Sequence, residues 1–270
     1  MRVVTALVLL GFVMTTAAAP VPYAPTAPDA VPAAILGKGE KPLGSAVAYF
    51  PADPKARGYL AVPAGEGPHG AVILIHEWDG LGQRVRQVAD ALAAEGYVAL
   101  AADLYSGRTG GNPEQNMALV KETLAQPQRL IANLDAAVAF LRARKDVSGK
   151  VATIGWCYGG GVALSYALGG VNHEGTAMFY GRLLDDPEKL KHLHHELYGT
   201  FAGLDHNIKP EDVEHFVGAL RIAGIKNDVH VYDDVDHGFW LYVDRDPKAN
   251  LTPALDAWQR LKAYLARTLQ

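Results

Sequence analysis

Residues 71–76, Ala-Val-Ile-Leu-Ile-His, form an unbroken apolar run that stops at a polar, glycine-bearing loop. A strand covered on one face alternates apolar and polar side chains. A continuous run instead belongs to a strand buried on both faces, hence to a mostly parallel sheet with helices above and below it. The rest of the chain agrees. Residues 97–101, 151–154, 176–180, 196–202 and 229–232 read as further strands. Residues 85–94, 113–125, 129–144, 162–168, 213–223 and 253–269 read as helices, with Pro127 breaking the second from the third. Residues 45–50 and 58–62 read as an antiparallel edge pair joined across 51–54. Strand and helix alternate through short connections, which predicts one α/β domain over residues 44–270. A hydrophobic fraction of 49% is enough for its core. A net charge of −4 with no basic stripe excludes a nucleic-acid partner.

Residues 1–19 differ in kind from this domain. Arg2 gives a positive start, residues 3–14 are apolar and residues 15–19 end in small side chains, the layout of a secretory signal peptide. The apolar run is short for a membrane span, so no stable span is expected after processing, and the chain is expected to be periplasmic or secreted. Residues 20–43 are rich in Pro and Ala and read as a linker, extended and without a core over 20–32.

The chemistry gathers at the loops beyond the strands. Gly155-Trp156-Cys157-Tyr158-Gly159 joins a strand to a helix, with glycines two residues to either side of the cysteine. That is the nucleophile-elbow spacing with cysteine in place of serine. A side chain there is pushed out of the sheet, and the positive end of the following helix favours a thiolate. Cys157 is the sole cysteine, so no intrachain disulfide can claim it. Asp205 follows the strand at 196–202 and His237 the strand at 229–232, which completes the order nucleophile, acid, histidine. Asp234 and Asp236 are alternative partners for His237. His192, His194 and His195 lie close together, but no carboxylate or cysteine motif completes a metal site, and a solvated helix end is expected.

At this point the sequence resembles the dienelactone hydrolase family of the α/β-hydrolase fold, from about Gly44 to the C-terminus. The resemblance rests on Ile75-His76-Glu77-Trp78, the run Gly96-Tyr97 to Asp103-Leu104-Tyr105, Gly155-Trp156-Cys157-Tyr158-Gly159-Gly160, Phe179-Tyr180-Gly181, Gly203-Leu204-Asp205 and His237-Gly238-Phe239. It implies a cofactor-free cysteine hydrolase of small ester or lactone substrates with a triad of Cys157, Asp205 and His237. It also implies an oxyanion hole from the backbone N–H groups of Trp78 and Tyr158, and a role for Glu77 in switching the thiol to its thiolate. Substrate contacts are expected from Arg108, Tyr105 and Trp240. Two family arginines that hold a substrate carboxylate are missing: Gly107 and Leu241 stand at those places, with Arg108 one residue out of register. A neutral ester or lactone is therefore expected. The rival reading is a redox-reactive or ligand-binding protein on the same fold.

Overall fold

The structure is a computed structural model that describes residues 23–270; the signal-peptide reading falls on residues outside that range. Eight strands form one sheet: β1 Ser45–Ala48, β2 Arg57–Ala61, β3 His69–Ile75, β4 Val98–Ala102, β5 Val147–Trp156, β6 Gly175–Phe179, β7 Leu197–Ala202 and β8 Asn227–Tyr232. Seven helices accompany them: α1 Gln83–Ala94, α2 Pro113–Leu124, α3 Pro127–Arg142, α4 Tyr158–Gly169, the short α5 Pro187–Leu190, α6 Pro210–Ile222 and α7 Pro247–Leu269. The spatial order is β1-β2-β4-β3-β5-β6-β7-β8. β1 and β2 pair antiparallel at one edge, and every pairing from β4 to β8 is parallel.

The apolar run is the middle of this sheet. Ala71 to Ile75 are fully buried between β4 and β5, with α1 and α7 on one side and α3 on the other. The chain leaves β3 toward β4 and later returns to β3's opposite flank as β5. This reversal opens a crevice at the carboxyl ends of β3 and β5, where open α/β sheets place their ligands. Ile75 pairs with Gly155, so Glu77 and Cys157 each emerge two residues beyond the same rung.

Several elements differ from the sequence reading: β5 begins at Val147, α3 begins at Pro127 itself, and α5 is additional to it. Helix α7 begins at Pro247, capped by the Asp246 side chain on the Ala249 N–H, and Pro253 sits inside it rather than at its start. Residues 23–43 are also no loose linker. Val31, Ala34 and Ile35 are buried in the main core, and the Ile35 carbonyl accepts from Val243 N–H and Arg84. Gln87 donates to the carbonyls of Gly39 and Glu40. Three apolar side chains among prolines are sufficient to dock the segment, because its prolines leave little backbone freedom to lose.

Glycine is required where α4 starts. A Cβ on Gly159 would overlap the carbonyl oxygens of Ile75 and His76, backbone atoms that cannot swing away. Gly159→Ala is expected to destabilise the fold by about 2–3 kcal/mol, the scale of a forced overpacking. Denaturant unfolding measures this, and an unchanged midpoint would show that α4 does not press on β3 as described.

Candidate active site

Cys157 sits at the turn from β5 into α4 with φ 54° and ψ −118°. A left-handed φ is uncommon for a residue with a Cβ and marks a conformation held by its surroundings. Cys157 N–H donates to Phe179 C=O at 3.0 Å, and the Cys157 carbonyl accepts from Gly160 and Gly161 at the helix start. The side chain is half-buried and lies at the N-terminal end of α4, in a cleft of about 1020 Å³.

The same cleft is lined by His237, Glu77, Trp78 and Tyr158. β7 and β8 end level, with Ala202 opposite Tyr232, and their loops bring Asp205 against His237. His237 Nδ1 lies 2.6 Å from Asp205 Oδ2, and the carboxylate's other oxygen accepts from the N–H groups of Asn207 at 2.8 Å and Ile208 at 3.2 Å. The Asp205 side chain is wholly shielded from solvent. Asp234 and Asp236 are exposed, and Asp236 instead accepts from the backbone N–H of His237. Neither carboxylate alternative is the side-chain partner.

Electrostatics follow from these contacts. Burial works to lower the pKa of His237, but hydrogen bonds to Asp205 and to the Cys157 side chain outweigh it and raise the ring to about 10. Burial works to raise Asp205, but the bonds from His237, Asn207 and Ile208 hold it below the ordinary aspartate range. Glu77, 7% exposed, is pushed upward by burial, and the hydrogen bond that Tyr242 O–H donates to its Oε2 at 2.6 Å offsets only part of this.

The expected substrate contacts are not where the sequence reading put them. Arg108 forms a two-pronged ion pair with Glu122, donates from Nε to the Tyr105 carbonyl, and lines a separate depression between the β4 loop, α2 and α3. Tyr105 is fully buried and donates its O–H to the Trp78 carbonyl at 3.2 Å. Trp240 is fully buried and stacks on Trp156 at 5.8 Å in the layer under α7. Neither aromatic lines the cleft. In both cases a polar-tipped aromatic turns back into the core, which position in the sequence cannot reveal.

Other residues line the cleft instead. Tyr242 reaches Glu77, Tyr180 packs its ring 4.8 Å from that of His237, and Arg182 and Arg245 line the walls without an ion-pair partner among the described residues. Tyr180 has φ 38° and holds its place through an N–H bond to Thr200 C=O. Its strained backbone directly after β6 has no signal in composition or periodicity. Of the three clustered histidines, His195 does not end a solvated helix. It points inward to Thr176 at 2.9 Å and lies 4.7 Å from the buried His173, remote from the cleft. Among the described residues no group of three or more His, Cys, Asp or Glu is arranged to hold a metal ion.

The dienelactone hydrolase family model matches residues 56–269. The chain belongs to that family. It is a lactone or ester hydrolase on the α/β-hydrolase fold. A Synechocystis protein provisionally named carboxymethylenebutenolidase is 30% identical over 232 residues, spanning 79% of this chain and 92% of its own. A similarly named protein of Methylorubrum extorquens is 29% identical over 219 residues, covering 76% of this chain and 75% of its own. Among solved structures, a provisionally named dienelactone hydrolase from Klebsiella pneumoniae superposes with a TM-score of 0.67 at 26% identity, covering 78% of this chain and 93% of its own.

Glu77 lines the same cleft as Cys157, and its influence on the thiol can be measured directly. An ionised carboxylate facing the cleft opposes a thiolate, so Glu77→Gln is expected to shift the pH profile of Cys157 alkylation downward and speed it a few-fold near pH 7. Superposable profiles would leave Glu77 a packing role.

Proposed function

We propose that this dienelactone hydrolase family member acts through Cys157 as nucleophile, with His237 as base and Asp205 as its orienting acid. The observation that carries this reading is the strained Cys157 at the head of α4, sharing one cleft with a histidine that is itself held by a shielded aspartate. With Nδ1 engaged by Asp205, Nε2 of His237 is the nitrogen left for proton transfer. The thiol proton is held on Nε2, and the thiolate attacks the acyl carbonyl. The carbonyl electron pair moves to oxygen, facing the backbone N–H groups of Trp78 and Tyr158. Collapse breaks the ester C–O bond, and the alkoxide leaves with the proton from His237. Water then attacks the thioester with His237 as base, releasing the acid and restoring the thiol.

The cleft favours a neutral ester or lactone. Arg108 is committed to Glu122 outside it. The two lining arginines, Arg182 and Arg245, are outnumbered by the lining aspartates Asp79, Asp185 and Asp212, although not paired with them among the described residues, so the lining has no excess positive charge. Hydrolysis of a panel of p-nitrophenyl esters, with and without prior alkylation of the thiol, tests the reading. Turnover abolished in proportion to Cys157 modification is expected; turnover indifferent to it would overturn the nucleophile.

The layout of residues 1–19 supports export as the setting for this chemistry. Mass spectrometry of the mature protein is expected to find a start near Ala19 or Pro20, and an intact Met1 in the cell envelope would refute this.

A further inference from the structure

The loop that carries Trp78 is gripped by side chains that the proposed mechanism does not use. His76, the residue directly after β3, is fully buried. Its Nδ1 lies 2.6 Å from the Glu77 carbonyl oxygen, and its Nε2 lies 3.3 Å from the Leu104 backbone nitrogen. A carbonyl only accepts and a backbone N–H only donates, so these two contacts fix the tautomer. Nδ1 carries the proton and donates to Glu77, while Nε2 accepts from Leu104. The ring is wedged by Tyr105, edge-on at 4.6 Å, and by Tyr158 at 6.2 Å. Tyr105 in turn donates its O–H to the next carbonyl, that of Trp78. The carbonyl of Asp79 accepts from Gly110 N–H at 2.9 Å, and Gly80 N–H also reaches the Glu77 carbonyl at 3.3 Å.

The consequence lies in the peptide bond. The Glu77 carbonyl and the Trp78 N–H belong to one planar, trans unit and point in opposite directions. Holding the carbonyl therefore aims the N–H. We infer that His76 is a positioning residue which aims the Trp78 N–H at the oxygen of the tetrahedral intermediate, with Tyr105 steadying the adjoining peptide unit through the Trp78 carbonyl. The inference rests on the hydrolase reading above and adds to it a support for the oxyanion donor. His76 touches no substrate: it is sealed behind the loop, and it is absent from the residues that line the cleft. Burial also keeps its pKa below the ordinary histidine value, in keeping with a neutral ring that donates at one nitrogen and accepts at the other.

Two reactions at the same sulfur separate this role from general support of the fold. A trifluoromethyl ketone forms a reversible adduct. The S–C bond forms, the carbonyl pair moves to oxygen and the thiol proton is held on His237, so the adduct carries an oxyanion. Alkylation by iodoacetamide displaces iodide and develops no oxyanion. For His76→Phe, ketone affinity and kcat on an activated ester are expected to fall about 10- to 100-fold, at or below the loss of one whole oxyanion donor. KM and the alkylation rate are expected to stay within about twofold, since neither depends on that donor. His76→Asn, whose amide can still donate to the Glu77 carbonyl, should recover most of the loss. Tyr105→Phe should lose ketone affinity a few-fold.

A folded His76→Phe with wild-type ketone affinity and kcat would overturn the inference. So would a parallel fall in alkylation and ketone binding, which would mark a structural role. If His76→Phe does not fold, Tyr105→Phe decides: unchanged ketone affinity overturns the shared grip. A wild type that is alkylated at Cys157 but binds no ketone refutes this inference while leaving the nucleophile standing. A wild type whose Cys157 neither alkylates nor supports ester turnover refutes the hydrolase reading itself.

Discussion

Cys157→Ala is expected to lower ester turnover on the order of a thousandfold or more, because the nucleophile and its base act as one unit. Without the sulfur no thioester can form, and His237 is left beside a methyl group with nothing to deprotonate. The double variant Cys157→Ala, His237→Ala should then be little worse than either single one, since the second change removes a partner already idle. Cys157→Ser should retain some hydrolysis at a lower rate and with a changed pH profile, because a serine hydroxyl is far less acidic than a thiol. The assay needs an activated ester that the wild type turns over, and circular dichroism to show that each variant is folded. A folded Cys157→Ala with wild-type turnover would mean that the fold performs its reaction through other groups.

The second large effect is expected at the pair of Asp205 and His237. His237 has its pKa raised to about 10 by hydrogen bonds that outweigh its burial. In an unfolded chain the same ring titrates near 6.5. A raised folded value means stability that is fully present below about pH 6.5 and is lost as pH climbs through about 10. Asp205→Asn removes the charge that sustains this, so the variant's stability should lose that stretch of its pH dependence. Turnover should drop about a hundredfold or more, yet less than on removing His237, since the amide disturbs tautomer and orientation while the base remains. Alkylation of Cys157 near pH 7 should slow as well, because an imidazolium no longer stands beside the sulfur to favour the thiolate. Parallel stability curves for wild type and variant between pH 6 and 10 would show that the short contact between Asp205 and His237 carries little charge.

Much of this architecture was legible in residue order. The continuous apolar run at 71–76 required a strand with neighbours on both sides, and Ala71 to Ile75 are fully buried between β4 and β5. Gly155 and Gly159 marked the elbow because a Cβ at either would overlap backbone of the adjoining turn or strand. The positions of Asp205 and His237 followed from the ends of two neighbouring strands, and β7 and β8 do pair in parallel with level ends. In each case the information is local: a period, a forbidden Cβ, or a residue just past a strand.

Three-dimensional placement decided what local pattern could not. Arg108 is expected from the sequence to contact substrate, yet it is held by Glu122 of α2 in a depression separate from the cleft. Tyr105 and Trp240 are likewise expected at the substrate, yet their side chains turn inward and the rings fill the core. Tyr242 meets Glu77 across 165 positions of sequence, and no periodicity encodes such a meeting. Residues 23–43 have the composition of a linker, but Val31, Ala34 and Ile35 find an apolar surface to cover. Sequence alone determined the sheet, the order of its chemistry-bearing loops and the strained turn, because these arise from backbone sterics and from burial repeated every few residues. Only the tertiary structure decided which side chains share the cleft, because a side chain's partner depends on which loop folds over it and on which charge it meets first.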